Sequence, residues 1–306
     1  MCAAGNGAAG AAGNGATGPD AAALRAAYRH CRQIARTQAR NFYFAFLPLP
    51  PRQRQAIYAV YAFSRACDDY ADEPIPLEQK QSLLAQQRRR LHECYAGNPD
   101  GPVFTALADV VRAYRIPRQH FDDLLDGVVM DLTVRRYQTF DSLRDYCYHV
   151  ASVVGLICVE IFGYTDPKAK EYAIDLGIAM QLVNIMRDLK EDIERDRVYL
   201  PLDELARFEY YEDDLRYGVM DERFLALMRF QAARARDYFA SGAKLLPLVP
   251  RRTRVCPATL LGLYSALLTR MEQQGYNVHQ ERVRLSTSKK FYVAGTIWLK
   301  TRLGKA

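Results

Sequence analysis

Two Asp-x-x-x-Asp pairs offer the clearest chemistry in the sequence: Asp68 with Asp72 in Arg65-Ala-Cys-Asp-Asp-Tyr-Ala-Asp72, and Asp188 with Asp192 in Arg187-Asp-Leu-Lys-Glu-Asp192. On a helix, side chains four residues apart stand one above the other about 5 to 6 Å apart, so each pair presents two carboxylates on one face. That suits a hard divalent cation such as Mg²⁺, which takes one or two carboxylates and fills its other positions with substrate phosphate oxygens and water. Spacing alone carries little weight, because chance placement of 35 acidic residues among 306 gives about four acidic i,i+4 pairs. Asp122/Asp126 and Asp141/Asp145 share the spacing and are read as solvated surface.

Context sets the second pair apart. Residues 173–186 are apolar nearly all round (Ile174, Leu176, Ile178, Met180, Leu182, Val183, Ile185), which marks a buried helix. Gln181, Asn184, Asp188 and Asp192 follow at spacings of three, four and four, forming one polar stripe along it. Buried polar groups are costly unless paired, so the stripe needs water, a cation or another polar group opposite it. The first pair has a similar setting. Ala56, Ile57, Val60, Tyr61 and Phe63 form an apolar body, and Arg65 stands one turn before Asp68. Two such helices facing across a cavity would bring arginines suited to bidentate binding of phosphate beside carboxylates suited to its counter-cations.

The elements that must position these groups are helical. From Ala21 onward the apolar period is that of helices, with breaks at Pro48, Pro50 and Pro51, at Pro74 and Pro76, and helix starts at Ile116-Pro117 and Asp166-Pro167. No alternating strand run, G-x-G-x-x-G or P-loop occurs, so the expectation is an all-α fold of roughly eight to eleven helices. No linker or repeat divides residues 21–290, which are read as one catalytic domain. Residues 1–20 are Ala, Gly and Asn with little apolar bulk and are expected to be a disordered tail lacking the features of an export signal. No run of 18 apolar residues suggests a spanning helix. The seven cysteines are scattered without metal or disulfide spacing, pointing to a reduced, cytoplasmic setting. A net charge of +7 suggests an anionic partner. Residues 291–306 mix basic and aromatic groups, including the only tryptophan. They fit either a helix packed on the body or a peripheral membrane contact.

The stretch Leu176-Gly177-x-x-x-Gln181-x-x-Asn184-Ile185-x-Arg187-Asp188-x-x-x-Asp192-x4-Arg197-x-Tyr199-x-Pro201 resembles one signature of the squalene/phytoene synthase family. Tyr146-Cys147-x-x-Val150-Ala151-x-x-Val154-Gly155 resembles the other. Phe42-Tyr43-Phe44-Ala45-Phe46, Tyr58-Ala-x-Tyr61-Ala62-Phe63-x-Arg65 and Gly275-Tyr276-x-Val278 follow the same pattern in the same order. The resemblance implies a single-domain isoprenoid-synthase helical fold with a central active-site cavity. It also implies head-to-head condensation of two allylic prenyl diphosphates through a cyclopropylcarbinyl diphosphate. Carried over by position, Asp68, Asp72, Asn184, Asp188 and Asp192 would serve Mg²⁺, with Mn²⁺ as a substitute. Arg40, Asn41, Arg65, Gln181, Arg187, Tyr264 and Arg282 would hold diphosphate, and Tyr146, with Arg65 and Arg187, would act at the reacting carbons. Ala39 and Asn41 stand where relatives often carry two serines, and only Asn41 keeps a donor.

Two farnesyl diphosphates giving presqualene diphosphate or squalene is the favoured reading. NADPH would be needed only if squalene is the product. Two geranylgeranyl diphosphates giving phytoene is the alternative, and an inactive family member acting as a membrane assembly factor is the reading from another class. That last protein should have lost its Asp pairs or arginines, and this chain keeps both. A monomer with no nucleic-acid partner is expected.

Overall fold

The computed structural model describes residues 20–280 and 282–302, without the side chains of Arg40, Asn41, Phe44 and Arg302; the expected tail lies outside the described residues except for Asp20. The helices are α1 (Ala21–Gln38), α2 (Arg40–Phe46), α3 (Pro51–Asp72), α4 (Leu77–Tyr95), α5 (Gly101–Tyr114), α6 (Arg118–Thr133), α7 (Phe140–Cys147), α8 (Val153–Phe162), α9 (Ala169–Glu194), α10 (Leu202–Arg207), α11 (Glu212–Tyr217), α12 (Glu222–Gly242), α13 (Arg251–Gln273) and α14 (Thr287–Arg302). A π-helical turn (Tyr148–Ser152) joins α7 to α8, and a 3₁₀ turn (Ala243–Leu248) follows α12. Among the described residues there is no strand, only an isolated bridge between Arg136 and Val198. The fold is all-α. Helices exceed the expected eight to eleven partly because α2, α10 and α11 have only six or seven residues, too few to show an apolar period.

The prolines act as helix starts. Pro51 opens α3, Pro76 caps α4 and Pro117 caps α6, where a fixed φ and a missing N–H cost nothing. Asp20 caps α1 by accepting from Ala22 N at 3.2 Å. The expected boundary between residues 290 and 291 falls inside α14.

α9 is the central element, packed along α12 and against α8, α13 and the π turn. Leu176, Ile178, Leu182, Val183, Ile185 and Met186 are all buried. At about 1.5 to 3 kcal/mol for each such side chain, this burial outweighs the penalty for the polar stripe, about 1 to 3 kcal/mol per unpaired group. The two glycines of the signatures explain the close crossing. A Cβ on Gly177 would come within 2.6 Å of Ser152 Cα, and one on Gly155 within 2.9 Å of Ala173 O. Ser152 Oγ then donates to Ile174 O at 2.8 Å. On the other side α3 packs with α1, α5 and α6, and α8 lies against both α3 and α9. The continuous helical run Phe140–Phe162 is long and apolar enough to cross a membrane by length and composition, but half of its apolar window is buried inside the fold.

Asp122 is not solvated surface. It is buried, and its carboxylate receives His92 Nε2 at 3.0 Å, Arg118 Nε at 3.0 Å and Arg88 Nη1 at 3.3 Å, while Arg88 also reaches Asp126. The cluster ties α4 to α6. Asp141 does match the surface reading, since it is exposed and pairs with Arg144, three residues on in its own helix.

Candidate active site

A cavity of about 620 Å³ opens where α3, α9 and α13 meet α1, α2 and the segment that leads into α14. One wall is polar: Arg65 and Asp68 from α3, Asn184 and Arg187 from α9, Arg282 and Arg284 from the segment before α14, and Lys290 from its first turn. The rest of the lining is apolar, built from Phe42, Tyr61, Leu260, Leu263, Leu267 and Leu285, while the Tyr264 hydroxyl turns to Asn184 and Arg187. Five cationic side chains against one carboxylate make a field for a polyanion. An anionic head beside an apolar body is the ligand shape this lining accepts.

The cations are poised in different ways. Arg65 pairs with Asp69, not with Asp68, and its buried Nε has no acceptor among the described residues. Arg187 donates from Nε to Asp188 Oδ1 at 2.7 Å, and Arg282 donates to the same oxygen at 2.9 Å while reaching Glu191 at 3.1 Å. Asp188 is thus clamped by two arginines. Asn184 donates to Gln181 Oε1 at 3.2 Å, which leaves the buried Asn184 Oδ1 without a donor, a cost that a ligand would relieve. Burial raises the Tyr264 hydroxyl, while Arg187 and a hydrogen bond from Asn184 pull it back.

Asp131, on α6, is one of the site residues that the sequence did not reveal. Its Oδ1 accepts the hydroxyls of Tyr146 and Tyr199, each at 2.8 Å, and its backbone oxygen accepts Arg197 Nη2 at 2.9 Å. Electrostatically it touches both aspartate pairs. Asp68 opens onto the cavity, yet loss of hydration among the surrounding protein atoms pushes its carboxyl up to about 7, Arg65 opposing and Asp72 and Asp131 adding repulsion. Burial and then repulsion from Asp188 and Asp131 push Asp192 up to about 7 against Arg197 and Arg195. Asp131 itself is raised by burial, tempered by its two tyrosine donors.

The structure therefore gathers Arg65, Asp68, Asn184, Arg187, Tyr264 and Arg282 on one cavity wall, with Gln181 and Asp188 bonded directly to them. Asp72 and Asp192 stand beside this wall, coupled to their partners but not lining the cavity. Tyr146 sits deeper, buried against the rings of Tyr137 and Tyr199. Arg40 and Asn41 fall on the first turn of α2, and their side chains lie outside the described ones. Arg284, Lys290 and Asp131 were missed. Arg284 and Lys290 belong to a basic stretch without a motif, and Asp131 has Gly127 and Arg135 at its i±4 positions, so no acid spacing points to it.

Among the described residues no three His, Cys, Asp or Glu side chains converge to enclose a cation by themselves. Instead Asp68 on α3 and Asp192 on α9 are both pushed up by burial, by the other aspartate of their own pair and by Asp131, and all the donors are hard oxygens. That set fits divalent cations completed by diphosphate oxygens and water rather than a closed protein cage.

Comparisons with known proteins agree with this geometry. The sequence model of the squalene/phytoene synthase family matches residues 35–289. The 15-cis-phytoene synthase of Synechocystis sp. is 38% identical over 294 residues, spanning 92% of this chain and 87% of its own. The phytoene synthase of Mycobacterium tuberculosis is 38% identical over 276 residues, spanning 89% and 90%. A crystal structure of a dehydrosqualene synthase superposes with a TM-score of 0.84 at 29% identity, over 92% of this chain and 98% of that one. A squalene synthase from Alicyclobacillus acidocaldarius superposes at 0.80, also 29% identical, over 86% and 99%. The chain belongs to the squalene/phytoene synthase family. It is a prenyltransferase of the head-to-head condensing type with the isoprenoid-synthase fold, and the reading as an inactive assembly factor is set aside.

Proposed function

We propose that this protein joins two molecules of geranylgeranyl diphosphate head to head to give phytoene. The observation that carries this reading is the similarity of 38 to 39% along about nine-tenths of the chain to three cyanobacterial phytoene synthases, against 29% to the dehydrosqualene and squalene synthases. It replaces the farnesyl-based expectation, which rested on no residue of the cavity, and with phytoene as the product the reaction has no need of NADPH.

Arg65, Arg187, Arg282, Arg284 and Lys290 hold the diphosphate oxygens. Asp68 and Asp72 on one side, with Asp188, Asp192 and Asn184 on the other, would hold Mg²⁺ or Mn²⁺ together with those oxygens. When bound, the cations neutralise the charge of the departing diphosphate. Loss of diphosphate from one substrate leaves an allylic cation. The leucine wall keeps water from it, and the double bond of the second substrate attacks it to give the cyclopropylcarbinyl diphosphate. A second diphosphate departure, rearrangement and proton loss give the hydrocarbon. Burial and the neighbouring Asp131 hold the Tyr146 hydroxyl far above its ordinary pKa, so it serves as a neutral dipole anchored by that carboxylate rather than as a base. Incubation with Mg²⁺ and either C20 or C15 diphosphate tests the reading. Phytoene from the C20 substrate at a rate well above any C30 product supports it, and a preference for C15 substrate refutes it.

A further inference from the structure

Two short segments outside the cavity join the ends of the helices that carry its deeper carboxylates. α6 ends two residues beyond Asp131 and α9 ends two residues beyond Asp192, and the chain leaving each helix runs parallel to the other. Arg136 and Val198 bridge them, with Val198 N donating to Arg135 O at 2.9 Å, Leu202 N to Tyr137 O at 2.9 Å and Asp203 N to Gln138 O at 3.1 Å. This pairing carries Arg197 and Tyr199 onto Asp131 and stacks Tyr199 on Tyr137, with ring centres 5.8 Å apart. The turn that ends α9 makes the pairing possible. Arg197 N donates to Asp192 O and Asp196 N to Ile193 O, while Asp196 takes φ +57°, a left-handed conformation that favours glycine.

Arg136 holds that turn from outside. Its Nε donates to both carboxylate oxygens of Glu212 at 2.9 Å, its Nη1 to Asp196 O at 2.6 Å and to Arg135 O at 3.0 Å, and its Nη2 to Asp196 Oδ1 at 2.8 Å. All three guanidinium nitrogens are engaged, and the single ammonium of a lysine could not span these acceptors. Arg216 adds one bond to Asp196 Oδ1 at 2.7 Å. Arg136 does not line the cavity. It leaves an extended segment beside Tyr137, so the two side chains take opposite sides: Arg136 reaches Asp196 and the start of α11, and Tyr137 is buried against Tyr146 and Tyr199. We propose that Arg136 is a positioning residue: by fixing the turn at Asp196 it keeps Arg197 and Tyr199 on Asp131, and through that carboxylate it holds the Tyr146 hydroxyl in place. The role rests on the reading of the site as a prenyl-condensing centre and is indifferent to the length of the prenyl chain.

The test is a double-mutant cycle on the full chain with Mg²⁺ and whichever of the C15 and C20 diphosphates it condenses faster: Arg136→Ala, Tyr199→Phe and the two together. Arg136→Ala should lower kcat about tenfold and leave KM within about threefold, because the side chains at the reacting carbons lose their setting while the arginines of the cavity keep theirs. Arg136→Lys should behave alike, and it carries the test if the alanine variant does not fold. On the Tyr199→Phe background the same substitution should cost less than about threefold, since the main link to Asp131 is already cut. Arg236→Ala breaks a similar fork, to Glu272 on α13 and away from the cavity lining, and should change neither kcat nor KM. Hydrogen exchange without substrate supplies the second reading: Arg136→Ala should speed exchange of the Val198, Leu202 and Asp203 amides and leave α13 unchanged. A folded Arg136 variant with kcat within about twofold of wild type overturns the proposal, as do losses that multiply fully in the double variant or exchange that does not move. A wild-type chain that condenses neither diphosphate refutes the reading of the site, whereas an active one with unmoved kcat in the variants refutes the role of Arg136 alone.

Discussion

Asp131→Asn separates the electrostatic role of this carboxylate from its shape. Asn keeps an oxygen for the Tyr146 and Tyr199 hydroxyls, now 2.8 Å from Asp131 Oδ1, but carries no charge. A hydrogen bond to a charged acceptor contributes about 1.5 to 3 kcal/mol and one to a neutral acceptor about 0.5 to 1.5, so weakening the two bonds costs about 2 to 3 kcal/mol. Removing the buried charge offsets part of that cost, and the melting temperature should fall by only a few degrees. The larger effect is on the neighbours. Asp131 is one of the charges that push Asp68 and Asp192 up to about 7, and both must be ionised to hold a cation. In the wild type, activity should fall as pH drops through about 7. In Asp131→Asn that acidic limb should move down by about half a unit to one unit, as expected for losing roughly 1 kcal/mol of repulsion. The rate on the plateau should also fall, by about tenfold, because Tyr146 is held less firmly. The assay is rate against pH at Mg²⁺ well below saturation, where cation binding must compete with protons on these carboxylates, with circular dichroism to check the fold. An unmoved limb together with activity within about threefold of wild type would refute the placement of Asp131 between the two aspartate pairs.

Asp68→Ala and Asp188→Ala should each lower the rate by about a hundredfold or more with helicity intact, measured at saturating substrate; activity within threefold would remove that residue from the cation site. Asp122→Ala should leave the rate per folded molecule unchanged yet cost about 1 to 3 kcal/mol by thermal unfolding, because Arg88, His92 and Arg118 lose their common acceptor while remaining partly open to water, whereas Asp141→Ala should change neither rate nor stability. Asp68 and Asp192 titrate above their ordinary range in the fold, so between about pH 4 and 7 the folded chain holds more protons than the unfolded one and its stability in EDTA should fall as pH rises. Added Mg²⁺ should raise the melting temperature more at pH 8 than at pH 5, and an equal rise at both would contradict the ionisation scheme.

The legible part of the site was the part written within single helices. The stripe Gln181, Asn184, Asp188, Asp192 stood out because the rest of its helix is apolar, and the family resemblance pointed to its neighbours Arg65 in α3 and Tyr264 in α13. Groups assembled from separate helices were not legible. Asp131 gains its importance from α7, α9 and the turn carrying Arg197 and Tyr199, none of which local spacing records. Asp122 has the same i,i+4 pattern as a metal-binding pair, but the basic side chains that claim it come from α4 as well as its own helix. Arg65 shows the limit within one helix: its ion pair goes to Asp69, four residues on, rather than to the motif residue Asp68. The C-terminal segment was ambiguous for a physical reason: α14 seats Val293 and Ile297 on Gly262 of α13 yet leaves Tyr292 and Leu299 exposed, and apolar groups on two sides erase the one-sided pattern that marks a packed helix.

Head-to-head condensation of two diphosphates differs from ordinary chain elongation in its stoichiometry, and that difference tests the account most directly. Single-turnover reaction with geranylgeranyl diphosphate, quenched over time and analysed for both diphosphate and prenyl products, should show a cyclopropylcarbinyl diphosphate that rises and decays. Two diphosphates should be released for every hydrocarbon formed. One diphosphate per product, with a longer linear prenyl diphosphate accumulating in place of the cyclopropyl intermediate, would contradict it.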